Sequence, residues 1–116
     1  MNKDRRARID RECERLAEAN ALLPEDRLSA MELLSDIQFN VEQVLDEEQE
    51  AYDNMPENLQ YSDRGCISEE CIDALEEAVS SLEELTGLIG SEVWDPEAAE
   101  ELVDDIDEQF QTVIFS

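Results

Sequence analysis

The stretch Ser68 to Ile89, SEECIDALEEAVSSLEELTGLI, decides the fold. Cys71, Leu75, Ala78, Leu82, Leu85 and Ile89 recur at alternating steps of four and three, the spacing that gathers side chains on one face of an α-helix. Directly after the seam positions Ser68, Leu75 and Leu82 stand three acidic pairs: Glu69 with Glu70, Glu76 with Glu77, and Glu83 with Glu84. With a rise of about 1.5 Å per residue, these pairs recur roughly every 10 Å along one solvent-facing stripe. Gly87 and Gly90 close the stretch, where glycine suits a helix C-terminus.

Toward the C-terminus, Asp95, Pro96 and Glu97 combine an N-cap, a first-turn proline and an acid near the positive end of the helix dipole. The helix they start turns Val103, Ile106, Phe110 and Val113 inward. Toward the N-terminus, Asn54 to Asn58 and Ser62 to Gly65 form a connection rich in turn residues. Before it, Met31, Leu34, Ile37, Val41, Val44 and Leu45 mark a helix beginning near Pro24 and Glu25 and running to about Tyr52. A first helix carries Ile9, Cys13, Leu16, Asn20 and Leu23 on one face, with Asn20 placed to set register.

The spans predicted are residues 3–23, 25–52, 66–89 and 96–113, joined in the middle by 53–65. No strand pattern competes over a comparable length. The fold class is therefore all-α: an antiparallel helical hairpin of the second and third helices, with the first and last packed on it. Together they make a coiled-coil-like small bundle of three to four helices, one domain over 1–116. Pairing of two copies would enlarge so small a core, and a homodimer is expected.

Composition permits this fold and limits its uses. Of 116 residues 41% are apolar, enough for a core, while 33 acids against 8 basic residues leave a formal charge of −25. Such a surface is repelled by nucleic acid and by anionic membranes, so the natural partner presents positive charge. No apolar run is long enough to span a bilayer, and the basic start is not followed by an apolar signal core, so a cytoplasmic location is expected. The three cysteines, Cys13, Cys66 and Cys71, are too few for a disulfide framework and read as reduced thiols.

The charge is unevenly placed. Residues 1–27 hold seven basic and seven acidic side chains, whereas from Leu28 onward Arg64 alone faces 26 acids. An ordinary solvated face mixes signs, as Asp4 with Arg8 or Arg8 with Glu12 do in the first helix, whose arginines can also dock on a neighbouring acidic helix. Those arginines are too neutralised to bind nucleic acid. Asp95, Glu97, Glu100, Glu101, Asp104, Asp105, Asp107 and Glu108 fall within fourteen residues. That is one negative charge per roughly 2.6 Å of helix, within a factor of two of the 1.7 Å or so of duplex DNA.

Glu69, Glu70, Glu76, Glu77, Glu83, Glu84, Glu97, Glu100, Glu101, Asp104, Asp105, Asp107 and Glu108 are therefore the candidate partner-binding residues. The partner they imply is a basic, nucleic-acid-binding surface of a host protein. The alternative is an acidic coiled-coil interaction or scaffolding module without mimicry, since Leu-Glu-Glu heptads also serve as plain coiled-coil exterior. Adaptation to high salt would load acids on every helix, and the first helix is balanced.

Catalysis is not expected. The chain lacks histidine, the commonest general base and transition-metal ligand. Cys66 and Cys71 lie five residues apart, a spacing that does not bring two sulfurs to one metal, and no calcium-loop or glycine-rich phosphate motif is present. Neither a metal nor a cofactor is predicted. Tyr52, Met55, Leu59 and Tyr61 read either as a plug at the end of the hairpin or as a partner-binding knob. Trp94 reads equally as an interface anchor or as a staple holding the last helix.

The segment Glu47 to Ala78, EEQEAYDNMPENLQYSDRGCISEECIDALEEA, resembles a recurrent motif of short acidic helical proteins of bacteriophages and integrated elements of Gram-positive bacteria. There a helix ending in acids meets a turn like Ala51 to Gln60, followed by a heptad like Ile72 to Ala78. Pro24 and the segment Trp94 to Ser116 depart from that pattern. The resemblance implies a mobile-element protein whose acidic surface blocks a host DNA-binding defence or repair factor. In style, though not in sequence, it is similar to phage DNA-mimic inhibitors of restriction and anti-CRISPR proteins.

Overall fold

Four long helices and one single-turn helix make up the computed structural model, which describes residues 1–116. They are α1 (Lys3–Leu22), α2 (Arg27–Asp53), α3 (Glu57–Gln60), α4 (Asp63–Ile89) and α5 (Pro96–Ile114). Each long helix starts on a side-chain cap: Asn2 accepts from the Arg5 amide, Asp26 from Ser29, Ser62 from Gly65 and Asp95 from Ala98. These oxygens satisfy amides that have no partner within the helix.

Two of the starts differ from the sequence reading. Helix α2 begins at Arg27 rather than near Pro24, because Asp26 accepts both the amide and the hydroxyl of Ser29. That double acceptance, the hydroxyl first, holds the Asp26 carboxyl below its ordinary pKa. Helix α4 begins at Asp63 rather than residue 66, on the Ser62 cap, and the predicted connection holds α3 as a single turn.

Long-range contacts fix the topology. Arg5 meets Glu48, Glu12 meets Asn40 and Arg15 meets Asp36, so α1 and α2 run antiparallel. Ser68 to Glu48 and Gln38 to Glu83 set α4 antiparallel to α2. Arg6 donates to the Ser116 carbonyl over 2.9 Å, and Gln111 donates to the Cys13 sulfur over 3.4 Å, which close α5 onto α1. The predicted hairpin is α2 against α4. With α1 and α5 it forms an up-down-up-down four-helix ring, a rod of 50 × 21 × 19 Å.

The core is the set of predicted stripes turned inward. Leu34, Ile37, Val41, Leu75, Leu82, Leu85, Ile106 and Phe110 are wholly buried. Each such side chain contributes about 1.5–3 kcal/mol of transfer free energy. In α1 the seam runs through Ile9, Glu12, Leu16, Ala19 and Leu23. Asn20 is exposed and does not sit on it, because the three-residue step from Leu16 brings the small Ala19 inward.

Glu12 is buried with its carboxylate accepting from Asn40 at 2.9 Å and Arg15 at 3.0 Å. Glu48 is buried between Arg5 and Ser68. No buried side-chain polar atom lacks a hydrogen-bond partner, as folding without a large desolvation cost demands. No helix is long and apolar enough to cross a membrane.

Trp94 is half-buried against the core with the Arg27 guanidinium 5.1 Å from its ring centroid, so it tethers the start of α5 to α2. At the opposite end of the rod Met55 and Leu59 line a cavity, Tyr52 donates to Glu69, and Tyr61 projects into solvent.

Candidate acidic interaction surface

Helix phase sorts the residues of α4 and α5. Successive residues advance about 100° around an α-helix, so the buried positions 68, 71, 75, 78, 82 and 85 leave the opposite arc to solvent. Glu69, Glu70, Glu76, Glu77, Glu83 and Glu84 all lie on that arc and are exposed. On α5, Ala99, Val103, Ile106, Phe110 and Val113 face inward. Glu97, Glu100, Glu101, Asp104, Asp105, Asp107 and Glu108 are exposed on the other side.

The two arcs belong to neighbouring helices packed directly against each other. Glu69 and Glu83 reach toward α2, through Tyr52 and Gln38, while Asp107 reaches toward Cys13 on α1. Helical phase then puts Glu70, Glu77 and Glu84 on the α5 side of their arc and Glu101 and Asp105 on the α4 side of theirs, while Glu108 stands opposite the core and Glu100, Asp104 and Asp107 turn toward α1. Glu70, Glu77 and Glu84 thus face Glu101 and Asp105 across the α4–α5 boundary, and the other acids of α5 spread over its outer face toward α1. Asp73, which follows none of the heptad pairs, is also exposed on the α4 arc and extends the surface.

Counter-charge is kept elsewhere. The ion pairs are Arg5–Glu48, Arg8–Asp4, Arg8–Glu47, Arg15–Glu12 and Arg15–Asp36, all within α1 or between α1 and α2. None of the thirteen candidate acids is ion-paired. Three of them accept from neutral donors: Glu69 from the Tyr52 hydroxyl, Glu83 from Gln38 at 3.4 Å, and Asp107 from the Cys13 thiol at 3.2 Å and Gln111 at 3.4 Å. The remaining ten accept no side-chain hydrogen bond.

Protonation follows these contacts. Donation to Glu69 pushes the Tyr52 hydroxyl up to about 12. Burial, with Asp107 beside it, pushes the Cys13 thiol up to about 11. The Arg8 hydrogen bond holds the Glu47 carboxyl below its usual range.

The arrangement offers a concentrated negative electrostatic surface. No three Cys, Asp or Glu side chains come together as a metal-holding group. Most acids on α4 and α5 are exposed on the outer arcs of their helices, and Glu100 lines a small cavity with Asn20, Leu23 and Trp94. No protein-family model, curated protein or solved structure matches the chain.

Proposed function

We propose that this chain is an inhibitor-type binding protein whose α4–α5 face occupies a basic, nucleic-acid-binding surface of another protein. One observation carries the reading: the thirteen carboxylates are exposed and free of ion pairs, while every ion pair lies on the α1–α2 side. Like charges three or four residues apart on a helix cost a few tenths of a kcal/mol per pair. The chain bears that cost on two adjacent helices without a single compensating lysine. A partner built to grip phosphates supplies the missing cations.

The resemblance of Glu47–Ala78 to acidic proteins of phages and integrated elements supports the same reading. It makes a host DNA-binding defence or repair protein, of the restriction or CRISPR kind, the natural target in the cytoplasm of an infected cell. The rival module, which would pair through Leu82 or Ile106, finds both residues fully buried in the chain's own core. That core closes within one chain, so the reading needs no homodimer.

The test is a competition. Proteins retained by the immobilised chain from a Gram-positive bacterial lysate at low salt should be displaced by duplex DNA and lost at high salt. They should also be lost with the Asp104→Lys, Asp105→Lys, Asp107→Lys, Glu108→Lys variant. A partner that duplex DNA does not displace, or that binds the variant equally well, overturns the proposal.

A further inference from the structure

A cavity lies at the end of the rod where the start of α1, the ends of α2 and α5 and the start of α4 converge under α3. Its volume is about 550 Å³. That is within the roughly 300–1,000 Å³ of small-molecule sites. Met1, Ala51, Met55, Leu59 and Ile67 give it apolar walls. Leu59 and Ile67 are 39% and 38% exposed, large apolar groups that the fold itself leaves partly uncovered.

Two arginines also line it, Arg5 and Arg64. Arg5 is held in place from behind: its Nε donates to Glu48 at 3.1 Å, and Glu48 is fixed in turn by the Ser68 hydroxyl at 2.9 Å. The Arg5 Nη donors make no hydrogen bond within the chain. Arg64 is the sole cation after residue 27 and makes no ion pair, although the chain carries 33 acids. With Glu48 cancelling Arg5, the side chains that line the cavity keep one net positive charge, that of Arg64. Free planar N–H donors beside apolar walls match a carboxylate attached to an apolar body.

We infer that this cavity binds an amphipathic monoanion, an apolar chain or ring bearing one carboxylate. Its carboxylate meets Arg64 and the free edge of Arg5, and its body lies against Met55, Leu59 and Ile67. The site is independent of the acidic face and would exist whatever that face binds.

The protein's own charge makes the test sharp. A net −25 attracts any cation and repels any anion, so preference for an anion must come from the cationic groups that line the cavity, Arg5, Arg64 and the Met1 ammonium, and the Arg64 variant isolates one of them. Decanoate and decyltrimethylammonium are titrated separately into the full chain carrying 13C-methyl methionine. Met1 and Met55 line the cavity, whereas Met31 lies beside Gly90 near the other end of the rod and serves as the internal control.

Decanoate should shift the Met1 and Met55 methyls saturably and leave Met31 still. Decyltrimethylammonium should bind that site at least tenfold more weakly. The Arg64→Gln variant, which loses no side-chain hydrogen bond or ion pair within the chain, should weaken decanoate at least tenfold. Absence of saturation, equal shifts at Met31, stronger binding of the cation, or undiminished binding by R64Q each overturns the assignment.

Discussion

Arg5 and Glu48, forty-three residues apart in the chain, form an ion pair inside the bundle: Arg5 Nε donates to Glu48 Oε2 over 3.1 Å while Glu48 is 2% exposed. Both partners lie where α1 crosses the end of α2, and Ser68 of α4 holds the other carboxylate oxygen. Removing one partner strands a buried charge, whereas removing both does not. Arg5→Ala should therefore destabilise the fold by about 3 kcal/mol in denaturant titration. The double variant Arg5→Met, Glu48→Leu should fall within about 1 kcal/mol of the parent. Additive losses would show that the pair is not coupled.

Salt should act on folding and on binding in opposite directions. The unpaired carboxylates of α4 and α5 repel one another, and ions screen that repulsion over a Debye length of about 10 Å at 0.1 M. Tm should rise between 20 and about 500 mM sodium chloride, whereas affinity for a basic partner falls over the same range. In the variant with lysines at 104, 105, 107 and 108, the helical circular dichroism should persist and the rise in Tm should shrink.

The same substitution at two glycines of α4 should have opposite signs. A Cβ on Gly65 would sit 2.1 Å from the Gln60 carbonyl oxygen, where α3 presses on the start of α4, so Gly65→Ala must displace backbone. A loss of at least about 2 kcal/mol is expected from such overpacking. A Cβ on Gly87 meets nothing within 4 Å. Gly87→Ala should instead gain about 0.5–1 kcal/mol of helix propensity.

Thiol reactivity should rank the cysteines by position. Cys66 is exposed, Cys13 half-buried with its pKa pushed up to about 11, and Cys71 buried with its pKa raised by that burial. At pH 8 iodoacetamide should modify Cys66 first, Cys13 slowly and Cys71 only on unfolding, as mass spectrometry of timed samples would show. The fold favours protonated Cys13, so this contribution is complete below the ordinary thiol pKa of 9.0 and diminishes as pH climbs past it. Asp107→Asn removes the neighbouring charge and should speed Cys13 modification.

Much of the architecture was legible because the decisive residues repeat. Leu75, Ala78, Leu82 and Leu85 are predicted on one face and are buried there, as are Val103, Ile106, Phe110 and Val113. The exposure of the candidate acids follows from the same phase. The buried acids were not legible: Glu12 and Glu48 fall on seam positions where their type suggests solvent, and only tertiary partners from α1, α2 and α4 justify them. Asn20 was misplaced because a helical stripe admits either the three- or the four-residue step, and the tighter packing of Ala19 chose between them.

Gly65 read as a turn residue but lies within the first turn of α4, since the carbonyl that excludes a side chain there comes from α3. Hydrogen bonds from Arg6 and Gln111 join α5 to α1, and although Cys13 falls on the predicted stripe, nothing in the sequence names α5 as its neighbour. The end cavity shares that origin: its two arginines stand fifty-nine positions apart, and only the ring of helices brings them together.

The confinement of every arginine ion pair to the α1–α2 flank makes the rod a transverse electric dipole as well as an anion. A field from a positively charged body exerts torque on such a rod before any atoms touch. It would turn about its long axis so that α4 and α5 lead, arriving already aligned. Were a basic partner to dock on α4 and α5, as proposed, the segregation would raise the fraction of collisions that are productive, which the same number of acids distributed evenly around the bundle would not do.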